Sequence, residues 1–391
     1  MVLLEKRTFK ELLVDMELRN LQNNIVGQEA SRLFARAEIN MGVEAFRDSL
    51  YSLLKRNTFL NIKFENMLDT LGEISRTDIR SLLGEWEKTT PLPFYSLGEP
   101  TLTKITNKGG EEFFVLKMLI SNNSDYDGII HMDIRKDGWW YQPLEDPRAK
   151  TKIEMPAHTS KEFVSVWEDQ IRNVEINTMV SGNLPNIISQ DINNVKQERN
   201  KIVKDSIYIL PESSFDLPGE IIVDNEDSTL FILSAPPIVG LLPKWLDEVE
   251  ETPFKYSGIS WWRPPLQWTA TTNDRYYGKY IRSAFVIKSG DGSQTATWKV
   301  PVPEVGQYDL YYHVFKDDEL RWNNNLQGEY HFKVKYGSEV EDAYVNLRKA
   351  NEGWEQLGSY YFDSDTIRVV LTDECKLRSV TADAVKIVKR Y

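Results

Sequence analysis

The side chains able to do chemistry are few and poorly spaced for it. There are four histidines, His131, His158, His313 and His331. None belongs to a His-Glu-x-x-His pair, and no two lie three to five residues apart, as a helical or finger-type zinc site requires. No Gly-x-Ser-x-Gly elbow and no Gly-x-x-x-x-Gly-Lys phosphate loop occurs. Ser289-Gly290-Asp291-Gly292 could form an anion nest, but alternating segments flank it and no helix follows, so it reads as a hairpin turn. General acid catalysis needs one carboxyl kept neutral by burial beside a charged partner. Acidic runs such as Asp317-Asp318-Glu319 and Asp247-Glu248-Val249-Glu250-Glu251 read instead as solvated surface. Asp224-Asn225-Glu226-Asp227 clusters oxygen ligands in a turn, which makes Asp224 and Asp227 calcium candidates. The spacing of a known calcium loop is missing, and an Asx-type turn is the competing reading. The chain alone is therefore expected to be non-catalytic, with no cofactor.

What remains is aromatic surface. Trp261, Trp262, Trp268, Tyr276, Tyr277 and Trp322 lie in loop-like segments, with Arg263, Asn273, Asp274, Arg275, Arg321 and Asn323 beside them. Sugar binding stacks an exposed ring on the apolar face of a pyranose, and neighbouring polar groups read the hydroxyls or a carboxylate. Trp261, Trp262, Arg263, Trp268, Tyr276, Tyr277, Arg321 and Trp322 are accordingly the ligand-binding candidates. Packing is the rival role for each ring, because buried aromatics are commoner than stacking platforms. Trp298, Tyr308 and Trp354 sit in or beside alternating segments and read as core or inter-sheet packing, and Asp383 as a buried acceptor in a terminal strand.

The elements that must position these residues fall into three regions. From Leu4 to about Glu87 the apolar residues recur at helical spacing. Phe46, Leu50, Leu53 and Leu54 line one predicted face, and Phe64, Leu68 and Leu71 another. Gly42 separates two helices, and Thr77-Asp78 caps a further one over Ile79 to Trp86. Pro91-Leu92-Pro93 ends the pattern, and the period changes to two. Strands are predicted at 102–106, 113–120, 128–134, 150–155 and 163–167, ending near Val180. Ile187 to Lys204 is polar, partly helical in pattern, and reads as a connector. Further strands follow from Glu220 onward. The expectation is a multidomain α+β chain: a small helical bundle (1–90), an antiparallel β-sandwich (91–182), a connector (183–218) and a second antiparallel β-sandwich (219–391).

Composition bounds the rest. A chain of 391 residues is too long for one ordinary core. Its 41% apolar and 27% charged fractions are those of a globular protein. A net charge of -12 excludes wrapping a phosphate backbone, so no nucleic-acid partner is expected. The single cysteine, Cys375, allows no internal disulfide. No stretch approaches the roughly 20 apolar residues that cross a bilayer, and Met1 to Asp15 lacks a signal-peptide pattern, so an export signal would lie upstream.

Two resemblances add to this reading. In the helical region, Asn40-Met41-Gly42-Val43-Glu44-Ala45-Phe46-Arg47-Asp48-Ser49-Leu50, then Asn57 to Leu71 and Asp78 to Trp86 before Pro91-Leu92-Pro93, resemble the C-terminal helices of aminopeptidase N-like zinc peptidases (gluzincins). There the helices lead through a proline-bearing link into a β-sandwich. The family's zinc ligands and general base lie upstream of such helices and are absent here. Its catalytic tyrosine has no counterpart, since no tyrosine precedes Tyr51. The last region resembles the golvesin and xanthan-lyase C-terminal domain. The matching pieces run in order: Ile221-Ile222-Val223-Asp224-Asn225-Glu226-Asp227, Tyr277-Gly278, Arg282-Ser283-Ala284, Ala296-Thr297-Trp298, Gly306-Gln307-Tyr308-Asp309-Leu310-Tyr311, Gly353-Trp354-Glu355-Gln356-Leu357-Gly358 and Ala382-Asp383-Ala384-Val385. The resemblance implies a carbohydrate-binding sandwich appended to a surface or secreted enzyme. The expected role is thus a non-catalytic binding and scaffolding region of a peptidase-like protein in the periplasm or at the cell surface. Its expected partners are a glycan or cell-wall polymer and an upstream catalytic domain or partner subunit. The alternatives are a protein-interaction module docking a catalytic domain or transporter subunit, and a fragment of an active zinc aminopeptidase.

Overall fold

The computed structural model describes residues 7–15, 19–58, 61, 63–76, 78, 91–136, 142–199, 203–211, 219–234, 255–260, 262–316 and 328–390. It is rich in β-structure and divides into two compact units, Met1–Phe215 and Asp216–Tyr391.

The first unit opens with helices α1 (Phe9–Val14), α2 (Arg19–Met41), α3 (Val43–Arg56) and α4 (Phe64–Ser75). Gly42 breaks α2 from α3 at φ +85°, a conformation that side chains with a Cβ rarely adopt. Ala37, Phe46, Leu53, Leu68 and Leu71 form the shared helical core, with Leu50 partly buried against it. Leu54, placed by period on that face, is instead 56% exposed. The register of α3 is therefore set by Phe46, Leu50 and Leu53, at spacings of four and three. The side chain of Phe64 and the helix expected over Ile79 to Trp86 lie outside the described residues.

Eleven strands follow in this unit: β1 (Tyr95–Leu97), β2 (Thr101–Thr106), β3 (Glu112–Asn122), β4 (Gly128–Lys136), β5 (Gln142–Pro143), β6 (Lys150–Met155), β7 (Thr159–Trp167), β8 (Ile171–Asn177), β9 (Ile187–Asp191), β10 (Val195–Arg199) and β11 (Ser206–Pro211). One sheet runs β10-β2-β3-β7-β11 with β1 added on β3, and the other runs β5-β4-β8-β9 with β6 on β4. Leu116, Met118 and Ile120 of β3 and Ile130, Met132 and Ile134 of β4 belong to a single core fed by both sheets. Ile129, of opposite parity on β4, meets Ala35 of α2 and Met179. Arg36 pairs with Glu154, and Glu38 with Lys152, tying α2 to β6.

The connector expected at 183–218 is not one. Residues 187–211 supply β9, β10 and β11 to the two sheets, and Ile187 to Lys204 contains strands rather than helix. Moreover β10 pairs with β2 in parallel, so this half is not purely antiparallel. The physical reason is position. β10 is an edge strand with mostly exposed side chains, so its sequence lacks the apolar alternation of a strand with a buried face.

The second unit contains β12 (Glu220–Val223), β13 (Phe231–Ser234), β14 (Thr269–Thr272), β15 (Ser283–Lys288), β16 (Thr295–Pro301), β17 (Gly306–Val314), β18 (Glu329–Tyr336), β19 (Glu339–Asn346), β20 (Gly353–Phe362), β21 (Thr366–Thr372), β22 (Ser379–Ala382) and β23 (Val385–Lys389). They form sheets β12-β23-β17-β20, β13-β16-β21-β18-β19 and β14-β15-β22. Trp298, Tyr308, Leu310, Tyr312, Phe332 and Phe362 are almost fully buried in one core that draws on all three sheets. Asp383 and Ala384 link β22 to β23, where the chain passes from one sheet to another. Asp383 is thus in a link, not in a strand. Among the described residues, no helix is long and apolar enough to cross a membrane.

Candidate functional site

The loop between β14 and β15 carries two of the predicted aromatics, and it treats them differently. Asn273 N–H bonds the Arg282 carbonyl at 3.1 Å and Tyr276 N–H bonds the Asn273 carbonyl at 3.2 Å, which folds the loop back on itself. Gly278, at φ +150°, lets the chain pass so close to Ile281 that a Cβ would sit 1.9 Å from its carbonyl oxygen. Tyr276 is 6% exposed and packs edge-on against Phe315 at 4.7 Å, so it belongs to the interior rather than to a binding face. Tyr277 is half-buried and packs on His313 and Trp354, with ring centroids 5.8 and 5.1 Å away.

Asp383 lies beneath those rings, fully buried. Its carboxylate accepts the Tyr277 N–H at 3.1–3.2 Å and bonds the His313 ring at 2.8 Å, while its backbone carbonyl accepts the Trp298 indole N–H at 3.1 Å. Burial pushes its pKa up, and the neighbouring His313 opposes that shift. Trp354, read from sequence as core, stands half-buried on the outer face of the β12-β23-β17-β20 sheet. Lys386 Nζ lies 4.9 Å from its ring centroid and 5.3 Å from that of Tyr311, and pairs with Glu220 at 2.9 Å. On the same face Asp309 is held by Arg390, Gln356 and Ser359. These polar groups already satisfy one another. The cluster is a clasp that fixes the loop and the sheet corner.

The acidic turn is closed in the same way. Asp227 accepts the Asp224 N–H at 2.9 Å, Asp224 accepts the Asn225 N–H at 2.7 Å, and the Asn225 amide bonds the Ser283 hydroxyl at 2.7 Å. Ser283 in turn donates to Glu226, which also pairs with Lys255. Among the described residues no group of three or more His, Cys, Asp or Glu side chains is arranged to hold a metal ion. One oxygen each of Asp224 and Asp227 accepts a backbone N–H within the turn, as in an Asx-type turn. Burial first, and then the charge of Asp383, raises the Asp224 pKa well above the carboxylate range. The folded state therefore holds this proton more tightly than the unfolded chain does. The resulting destabilisation is absent below the ordinary carboxylate pKa and grows as pH rises through the raised folded value. Asp224→Asn should raise the melting temperature at pH 7, with the gain vanishing near pH 3.5, in paired thermal melts. A lower melting temperature at pH 7 would contradict this account of the turn.

The segment preceding β14 is different. Arg263 N–H bonds the Ser260 carbonyl at 3.0 Å and closes a tight turn that presents Trp262. Three further bonds pin the surroundings: Lys288 N–H to the Pro265 carbonyl at 2.7 Å, the Gln294 side-chain amide to the Leu266 carbonyl at 3.2 Å, and Ser289 N–H to the Arg378 carbonyl at 3.0 Å. Trp262 is 63% exposed, and the Arg378 guanidinium lies 5.4 Å from its ring centroid. Arg263 is exposed beside it. Trp268, six residues on, turns inward and packs against the core. Of the predicted candidates, the structure thus brings Trp262 and Arg263 to one surface, sends Tyr276 and Trp268 inward and locks Tyr277 in the clasp. Trp261, Arg321 and Trp322 lie outside the described residues.

Sequence reading missed Arg378, and nothing in its own sequence neighbourhood signals it. It also missed His313 facing Trp354. That pairing had a signal, because the two are direct partners in the β17–β20 register and alternation puts both on the outer face.

Residues 264–389 match the Golvesin C-terminal domain. The match begins just after the Trp262 turn and contains Arg378, Asp383 and all of the clasp except Glu220 and Arg390. No curated protein sequence matches the chain. Among solved structures, a Paenibacillus xanthan lyase is similar at 16% identity and TM-score 0.32, covering 77% of this chain and 27% of the lyase. TmCBM61, solved in complex with beta-1,4-galactotriose, is similar at 15% identity and TM-score 0.18, covering 31% of this chain and 77% of that one. A Bacteroides uniformis beta-glucuronidase is similar at 12% identity and TM-score 0.22, covering 81% of this chain and 32% of the enzyme. The chain therefore spans about a quarter of the xanthan lyase. Neither the Golvesin match nor these structures extend the aminopeptidase N-like resemblance of the N-terminal half.

Proposed function

We propose that the second unit is a glycan-binding β-sandwich, and that the first, a helical bundle against a second sandwich, is a non-catalytic scaffold. One observation carries the reading. Trp262 is a largely exposed indole held on a hydrogen-bonded turn, with the Arg378 guanidinium over its ring at 5.4 Å. A pyranose stacks on such a face without first having to order it, so little binding energy goes into immobilising the ring. The Golvesin-type match of residues 264–389 supports the same reading, since that resemblance implies carbohydrate binding. An extracytoplasmic location and an upstream zinc-peptidase domain are the setting that the two resemblances propose. The full chain applied to a glycan array should retain at least one glycan. An empty array, with the same preparation capturing a protein partner, would remove the carbohydrate reading.

A second reading, a protein-interaction module, is favoured by β11. This edge strand exposes Ile207, Tyr208, Ile209 and Leu210, with Ile209 at 73%. An uncovered apolar edge is a template for strand addition. Ile209→Lys should leave the melting temperature within about a degree, as surface changes usually do, while reducing self-association or partner capture in sedimentation runs. Unchanged association would count against this second reading.

A further inference from the structure

We propose that a second copy of this chain covers β11, the two strands pairing antiparallel about a two-fold axis at Tyr208; this rests on the interaction reading of β11 given above and names the partner. β11 ends its sheet, with β7 as its one neighbour among the described residues. Its six residues, Ser206 to Pro211, include no charged side chain. Two other edges of this chain are guarded: β10 carries Lys196, Glu198 and Arg199, and β19 carries Glu339, Glu341 and Asp342. Charges on an edge keep the strands of other molecules away, and an apolar edge without them is a template for pairing.

Both faces of the strand are exposed. Ile207 and Ile209 pair with Phe163 and Lys161 of β7, so they share the face of Phe163, a core residue, yet they are 45% and 73% exposed. Tyr208 and Leu210, on the opposite face, are 51% and 36% exposed. A helix or loop laid against one face would leave the other face and the outer backbone groups in water. A further strand pairs the backbone and flanks the side chains on both faces.

The ends of the strand set the register. Asp205 turns back on its own chain, accepting the Val166 N–H at 2.7 Å and pairing with Arg148. Pro211 has no N–H to offer. The segment able to pair is therefore 206–210, and its midpoint is Tyr208. With the two-fold there, Tyr208 meets its own counterpart, Ile207 meets Ile209 of the second copy, and Ser206 meets Leu210. Facing residues lie on one side of the sheet, as antiparallel pairing demands, and whichever parity of backbone groups points outward finds its partner. Four isoleucines gather on one face and two tyrosines on the other, the β-branched and aromatic pairs that stabilise sheets. Selecting one foreign strand among many takes charges that attract or repel, and β11 has none. A second copy is matched in length and apolarity by identity. So short a pairing buries less than about 1,200 Å², the low end for specific interfaces, and a dimer dissociating in about the micromolar range is expected.

Because Tyr208 meets itself at the axis, one substitution there acts twice. Sedimentation equilibrium of the full chain should show monomer and dimer exchanging in that range. Tyr208→Lys and Tyr208→Glu should each weaken the dimer at least about tenfold, since like charges then stand opposite each other. An equimolar mixture of the two variants should recover a dimer that neither forms alone, which misfolded protein would not do. Tyr208→Cys in a Cys375→Ser background should give a disulfide-linked dimer on mild oxidation, because facing residues hold their Cα atoms about 4.5–5.5 Å apart. Val340→Cys on β19, at a position 57% exposed, should link far less in the same background.

A chain that stays monomeric about a hundredfold above the micromolar range would overturn the inference. Capture of a different protein through β11 would then leave the interaction reading standing with another partner, and capture of none would remove both. A dimer indifferent to both charge variants, or a mixture of them that does not associate, would also overturn the pairing at Tyr208.

Discussion

Asp383→Ala should lower the stability of the second unit by about 3 kcal/mol, the usual scale for removing one member of a buried, charged hydrogen-bond network. The carboxylate has no exposed surface and holds the Tyr277 N–H and the His313 ring at once. Alanine would leave both donors without an acceptor, and the 273–282 loop would lose its tie to the β22–β23 link. Calorimetry on the full chain should show one unfolding transition moved down by many degrees and the other in place. Asp383→Asn keeps an oxygen for the Tyr277 N–H and should lose less. If Asp383→Ala melted like the wild type, the clasp would not be what secures this corner of the fold.

Trp262→Ala should do the reverse, removing function and sparing stability. Exposed aromatic anchors at a binding face often contribute about 2 kcal/mol or more, so retention of a bound glycan should fall by at least about thirtyfold. The ring contributes little to the core, being 63% exposed, so both calorimetric transitions should stay where they are. Trp268→Ala is the informative contrast. That ring packs against the core, and its loss should lower stability whether or not binding survives. A Trp262→Ala protein that retains glycan as the wild type does would move the platform off this turn.

The contrast between these two tryptophans also marks where sequence reasoning stops. Both lie in the same loop among the same kinds of neighbours, and no periodicity separates the one that points outward from the one that points inward. Their fates depend on the local Arg263–Ser260 bond and on the bonds that Lys288 and the Gln294 side chain make to Pro265 and Leu266, contacts between segments more than twenty residues apart. Arg378 reaches Trp262 across more than a hundred residues, which a one-dimensional pattern does not register. Where a face is buried the sequence is far more legible. Trp298 and Tyr308 alternate with polar neighbours and are indeed buried, and the strands at 102–106, 113–120 and 128–134 lie within β2, β3 and β4. Strands whose side chains are mostly exposed escaped for the matching reason. In β10, Lys196, Gln197 and Glu198 carry no apolar period because neither side of that edge strand is buried. Trp354 shows a subtler failure. Its aromatic type suggests core, yet its partner across the register, His313, faces outward, and parity outranks hydrophobicity there.

The most direct test is oxidative footprinting of the full chain, read tryptophan by tryptophan by mass spectrometry, with and without a glycan that the array retains. Trp262 should oxidise much faster than Trp268, Trp298 or Trp354 in the free protein and be strongly protected once the glycan is bound, while the other three hardly change. A Trp262 that oxidises as slowly as the core tryptophans, or that stays equally reactive when the glycan is bound, would contradict the account.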